Sequence, residues 1–170
     1  MNNVWLSNIL RFVFLLLLQC LVLKNIVILP PFIQFIIYPL FILMLPFSLP
    51  PAAVIFLGFT MGIFVDVFYD SLGLHAAALV ITAFARGIVS RAMEPRGGYK
   101  STHTPTVAVM GTAWFVQYAS ILMVVHLLFY FFYSVFLFSK IGIVFLQTVL
   151  SLMVSMILII LYQYIVNPKQ

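Results

Sequence analysis

The chain has 170 residues, 65% of them hydrophobic and 6% charged, with a formal net charge of +5. Soluble globular domains average about 45–50% apolar and about 25% charged residues, so a water-soluble fold is excluded and lipid is the solvent for most of the chain. The eight basic residues are scattered or sit at segment ends, the pattern of helix anchors and not of a nucleic-acid surface. The single cysteine, Cys20, excludes an internal disulfide and a CxxC site.

A spanning helix needs about 20 mostly apolar residues. The first such segment runs from about Ile9 to Leu23, behind Asn2, Asn3 and Trp5, and ends at Lys24 and Asn25. "LLLLQCL" has the outline of a lipoprotein cleavage box, but Gln19 is bulky where a small residue is wanted, and the run reads as a retained helix. The second span covers about 26–47 and is interrupted by Pro30, Pro31, Pro39 and Pro46, each of which removes a backbone donor, so it is expected to be kinked or partly irregular. After the turn "SLPP" the third span runs from Ala52 to Tyr69, and a fourth follows from Leu74 to Met93.

The hydrophilic loop 94–105, "EPRGGYKSTHTP", leads to a fifth span at 107–129, with "FYFFYSVFLF" beyond it expected along the membrane interface. The sixth runs from Ile141 to Val166. The expectation is one integral membrane domain over 1–170, an all-α bundle of six transmembrane helices. Arg91, Arg96 and Lys100 lie in one loop, and Arg11 and Lys169 fall on the same side. Basic residues in short loops mark the cytoplasmic face, which puts both termini and that loop in the cytoplasm.

The polar residues are few enough to weigh singly. Gly58 and Gly62 are four apart, and Asp66 continues the same helix face. Small residues at that spacing let a neighbouring helix approach; the neighbour is either within the bundle or on a partner. At this site Gly62→Leu is expected to push helices apart, with Ala milder. Asp66 is costly in a spanning helix and is expected to face the interior, a partner or a wet cavity, or else to cap the turn that follows it. Asp70 and Ser71 sit where the chain reverses, and Gly73 can take left-handed conformations there.

His75 opens a stripe with Thr82, Arg86 and Ser90 down the fourth span. It is expected to contact Asp66 or Asp70, whereas Arg86, at the opposite end from Asp66, is expected to snorkel to the headgroups. Gln147, Ser151 and Ser155 mark one face of the sixth span and point to a bundle interior or a small cavity. No nucleophile motif, paired carboxylates, metal-ligand cluster or phosphate loop appears, so the chain does not read as an enzyme and implies no cofactor.

"GFTMGIFVDVFYDSLGLHAAALVITAFARGIV", from Gly58 onward, resembles the central segment of MreD, the bacterial rod shape-determining membrane protein family. That family carries a G-x-x-x-G-x-x-x-D helix, a short turn ending in a leucine–glycine pair, and a small-residue helix. Here these are Gly58, Gly62 and Asp66, then Leu72 and Gly73, then Ala76 to Ala78. "GLHAAA" and "EPRGGY" look like the versions in Bacteroidota-type members. The resemblance implies a non-enzymatic inner-membrane scaffold of the cell-elongation complex, acting in cell shape and peptidoglycan synthesis. It would partner the bitopic protein MreC and, indirectly, MreB, RodA and a class B penicillin-binding protein. It also implies a fold similar to the S-components of energy-coupling-factor transporters. The alternative is therefore an S-component-like substrate-binding subunit of a vitamin transporter.

Overall fold

A computed structural model of the chain describes residues 2–26, 32–99, 104–135 and 140–166, with side chains from Trp5 onward. It is an all-α bundle. Helix α1 covers Asn2–Leu17 and continues through a π-turn, Leu18–Val22, and a 3₁₀ turn, Leu23–Asn25. A single helical turn, α2, covers Leu40–Leu43. The long helices α3 (Pro51–Tyr69) and α4 (Leu74–Ala92) form a hairpin. A short α5 (Val107–Met110) precedes α6 (Thr112–Val135) and α7 (Ile141–Val166). Among the described residues five helices are long and apolar enough to cross a membrane: 5–25, α3, α4, α6 and α7. The chain is a multi-pass helical membrane protein.

The main correction falls on the second expected span. Residues 27–31, with Pro30 and Pro31, lie outside the described residues. From Phe32 to Phe47 the chain has only the one turn of helix, so among the described residues five helices, where six were expected, are long and apolar enough to span. The stretch from Ile36 to Pro46 is nonetheless buried throughout. It runs antiparallel to α1: Phe35 and Ile37 bond Gln19, and Met44 accepts from Arg11, two turns earlier on α1. A non-helical strand of chain thus returns through the middle of the bundle, and the up-and-down alternation of the remaining helices is kept.

The hairpin is built by its sequence. Pro51 starts α3 at the first helical position, where its missing N–H costs nothing. Asp70 ends it in the left-handed region at φ 52°, and Gly73 opens α4 at φ 83°. Aspartate tolerates that region better than most residues, and glycine has no Cβ to resist it. The bounds of α3, α4 and α7 agree with the expected spans to within a residue. Helix α6 runs on to Val135, past the expected end near Phe129, and buries Tyr130 and Phe131 inside the bundle instead of laying them along an interface.

Candidate functional site

Gly62 and Asp66 point at the start of α4. A Cβ on Gly62 would lie 2.3 Å from Ala76 Cα and 2.7 Å from its amide nitrogen, so the two backbones are in direct contact. A Cβ on Gly58 would meet Ala83 Cβ and Leu79 O at 3.3 Å. The small-residue face is therefore occupied within the chain, by α4, and of the two possible neighbours the structure has the internal one.

That approach delivers Asp66 to the exposed amides of the α4 N-terminus. Its Oδ1 accepts from Ser71 Oγ at 2.5 Å, from the His75 amide at 3.0 Å and from His75 Nδ1 at 3.0 Å. Its Oδ2 accepts from the Ala76 amide at 2.9 Å. The first amides of a helix have no intrahelical acceptor, and the helix dipole favours negative charge there. Here the capping carboxylate comes from the preceding helix and not from α4's own cap residue. Asp66 is 4% exposed and His75 3%, and among the described residues theirs is the one contact of a carboxylate with a basic side chain at ion-pair distance.

Of the expected turn residues, Asp70 and Leu72 are exposed, and Gly73 serves the turn through its backbone, donating to Ser71 O at 3.0 Å and accepting from the Ala77 amide at 2.9 Å. Arg91 and Arg96 are exposed at the opposite end of the hairpin, and Lys100 lies outside the described residues.

From His75 the polar groups continue inward. The His75 ring lies 4.7 Å from Tyr69, 4.9 Å from Tyr130 and 5.7 Å from Tyr38, centroid to centroid. Tyr38 Oη is 2.7 Å from His126 Nε2, and Thr82 Oγ1 is 3.0 Å from His126 Nδ1. The Thr82 hydroxyl proton is donated to Ala78 O at 2.7 Å. His126 Nδ1 must then carry the proton toward Thr82, and Nε2 accepts from Tyr38. The hydrogen-bond pattern assigns a neutral Nδ1–H imidazole.

The buried non-helical stretch has its own set of partners. Irregular backbone at membrane depth needs protein groups to bond it. Gln19, turned inward by the π-turn of α1, donates to Phe35 O at 3.0 Å and to Tyr69 Oη at 2.7 Å, and its Oε1 accepts from the Ile37 amide at 2.9 Å. Ser151 Oγ accepts from the Gln34 amide at 2.9 Å and Ser155 Oγ from the Ile36 amide at 3.0 Å. Tyr118 donates to Leu43 O at 3.1 Å, and Arg86 donates to the carbonyls of Leu45 and, at 3.5 Å, Pro46. The serine face of α7 is thus explained by backbone and not by a ligand. Arg86 is a correction: it is 5% exposed and turns into the bundle, where it was expected to snorkel outward.

Of the two partners the sequence offered His75, Asp66 and Asp70, the structure has Asp66; Gln19 and Tyr38 were missed. Gln19 carried a signal, as a buried amide in an apolar run has to bond something; Tyr38 carried none.

No protein-family model, curated protein or solved structure matches the chain.

Proposed function

We propose that the chain is a non-enzymatic scaffold subunit of the bacterial cell-elongation complex. It sits in the inner membrane with both termini cytoplasmic and partners a bitopic MreC-like protein. Through that assembly it serves MreB, RodA and a class B penicillin-binding protein in shaping the cell wall.

The reading rests on the resemblance of the Gly58–Gly62–Asp66 helix and its Leu72–Gly73 turn to MreD. The observation that carries it is that this motif is spent on architecture. Both Asp66 oxygens are engaged by donors of the same hairpin, and Gly62 is filled by Ala76. A motif used to lock two helices suits a subunit that presents a fixed surface, and leaves its carboxylate no open position for a substrate or ion. The transporter-subunit alternative would use this end of the bundle for a ligand, whereas Tyr69, Tyr130 and His75 pack on one another there. The clustering of Arg11, Arg86 and Arg91 toward one end, beside both the start of α1 and the end of α7, supports the cytoplasmic orientation of that end.

Affinity purification in mild detergent tests the proposal. Co-purification of an MreC-like protein and synthase subunits is expected; co-purification of transporter ATPase subunits in their place would overturn it.

A further inference from the structure

Helices α3 and α4 touch at Gly62 and Ala76 and part toward their other ends. There they leave a cleft of about 620 Å³ between the start of α3 and the end of α4. Its inner wall holds Arg86, which is 5% exposed. One guanidinium nitrogen bonds the carbonyls of Leu45 and Pro46, and Cζ lies 5.6 Å from the Phe47 ring centroid. Nε is buried and has no hydrogen-bond partner. No carboxylate pairs with this cation among the described residues. A buried guanidinium with no counter-carboxylate is costly, and carbonyl dipoles, the Tyr118 hydroxyl and a ring face compensate it only in part.

The rest of the cleft is amphiphilic in a particular order. Arg91, five residues beyond Arg86, lies at its mouth, with Glu94 as the single acid on the rim. Tyr99 stacks on Phe47 at 4.0 Å and donates to Ser90 O at 2.8 Å, closing one side; burial pushes its phenol up to about 12, so it stays neutral. The opposite wall is apolar, with Val54 and Ile55 from α3 and Phe84 and Ile88 from α4. Phe84 is 63% and Ile88 59% exposed, on the surface that faces lipid. Arg86 lies six residues from the end of α4, about 9 Å along the helix axis, so a headgroup that reaches it enters the cleft below the end of the span.

We propose that this cleft holds the phosphate-bearing headgroup of an anionic phospholipid, with Arg86 as the buried anion-binding group, Arg91 at the mouth, and an acyl chain along Phe84 and Ile88. Guanidinium recognises phosphate through its fixed fork of donors, and basic pockets between transmembrane helices are suited to such headgroups. A free phosphate ion shares the headgroup chemistry but has no use for the apolar wall, and the wall decides for the lipid. The inference is independent of the scaffold reading.

The test uses the full chain in detergent, with native mass spectrometry and thermal unfolding as readouts. The probes are phosphatidylglycerol, phosphatidylcholine with the same acyl chains, and inorganic phosphate. Because Arg86 also bonds backbone, the main variant is Gly87→Leu. Gly87 lines the cleft and a Cβ there meets nothing within 4 Å, so a side chain can start from it into the cleft without a backbone clash; Arg91→Gln is the second variant. Phosphatidylglycerol should stay bound and raise the unfolding temperature, while phosphatidylcholine and inorganic phosphate do neither. Each variant should keep its own unfolding temperature and weaken phosphatidylglycerol by about tenfold or more, the loss expected for a charge-assisted contact. Equal binding of the two lipids would overturn the proposal, as would undiminished phosphatidylglycerol binding by both variants. Stabilisation by inorganic phosphate equal to that by phosphatidylglycerol would overturn the lipid as the source.

Discussion

Asp66 and Ala76 meet across the α3–α4 hairpin, with Oδ2 of the carboxylate 2.9 Å from the Ala76 amide. One turn before Asp66, Gly62 leaves its Cβ position to the same alanine. The glycine allows the approach and the carboxylate rewards it by capping α4, so the spacing of four residues between them is one device and not two.

Gly62 is therefore the less forgiving of the two glycines. Even Ala should destabilise there, because its Cβ would meet Ala76 backbone at 2.3 Å, and overpacking of this kind costs about 1–3 kcal/mol. Leu should cost more still, so the expected order of the two substitutions at this site stands as a prediction. Gly58→Ala should lie near neutral, because its contacts start at 3.3 Å and Ala gains about 1 kcal/mol of helix propensity over Gly. Thermal unfolding of the two variants in detergent checks the order; equal stability would mean that the backbones do not touch at Gly62.

Tyr38→Phe should destabilise by about 1–3 kcal/mol, because it strands His126 Nε2 in the core without its donor. Replacing His126 by Phe as well should cost less than the sum of the two single changes, since the pair is coupled. Strict additivity in a double-mutant cycle would show that the hydroxyl and the imidazole do not interact.

Gln19→Leu should be worse than Ser155→Ala. The first removes the partners of Phe35 O and the Ile37 amide together and breaks the Tyr69 contact, whereas the second frees only the Ile36 amide. Hydrogen exchange reads this directly. The Ile36 and Ile37 amides should be strongly protected in the parent chain, with Gln19→Leu exposing Ile37 and Ser155→Ala exposing Ile36. Fast exchange of both in the parent would contradict a buried, fully bonded passage through the bundle.

The proposed orientation has a paired check in a Cys20→Ser background. Gly97→Cys should be protected in intact cells from a membrane-impermeant thiol reagent, while Leu72→Cys, on a residue exposed at the opposite end of the hairpin, should label. The reverse pattern would invert the topology.

Much of the bundle was legible because hydropathy sets helix length. Pro51 and the Asp70–Gly73 turn fixed the ends of α3 and the start of α4, and Ile141 to Val166 was read with its observed bounds. The contact of His75 was legible down to two candidates, Asp66 and Asp70, because a short turn leaves few alternatives. The passage of residues 32–47 was not. Its prolines announced a break in the helix, but its stability comes from Gln19, Ser151, Ser155 and Arg86 bonding backbone atoms far away in sequence, and no local pattern encodes such partners. Arg86 was misread for the same reason: its acceptors are carbonyls of a stretch whose shape the sequence does not declare.

The central claim is that Asp66 acts as a clamp and not as a carrier of protons or ions. Asp66→Asn keeps size and at least one accepting oxygen but loses a match to one of the four donors, while Asp66→Leu leaves the His75 and Ala76 amides unpaired, at about 1–3 kcal/mol each, and Ser71 Oγ and His75 Nδ1 only each other, 3.0 Å apart. The measurement is complementation of a deletion strain, scoring cell shape beside protein abundance for both variants. The clamp predicts that function follows abundance, with Asn retaining much of both and Leu losing both. An Asp66→Asn protein that accumulates to the normal level and folds, yet restores no function, would contradict it.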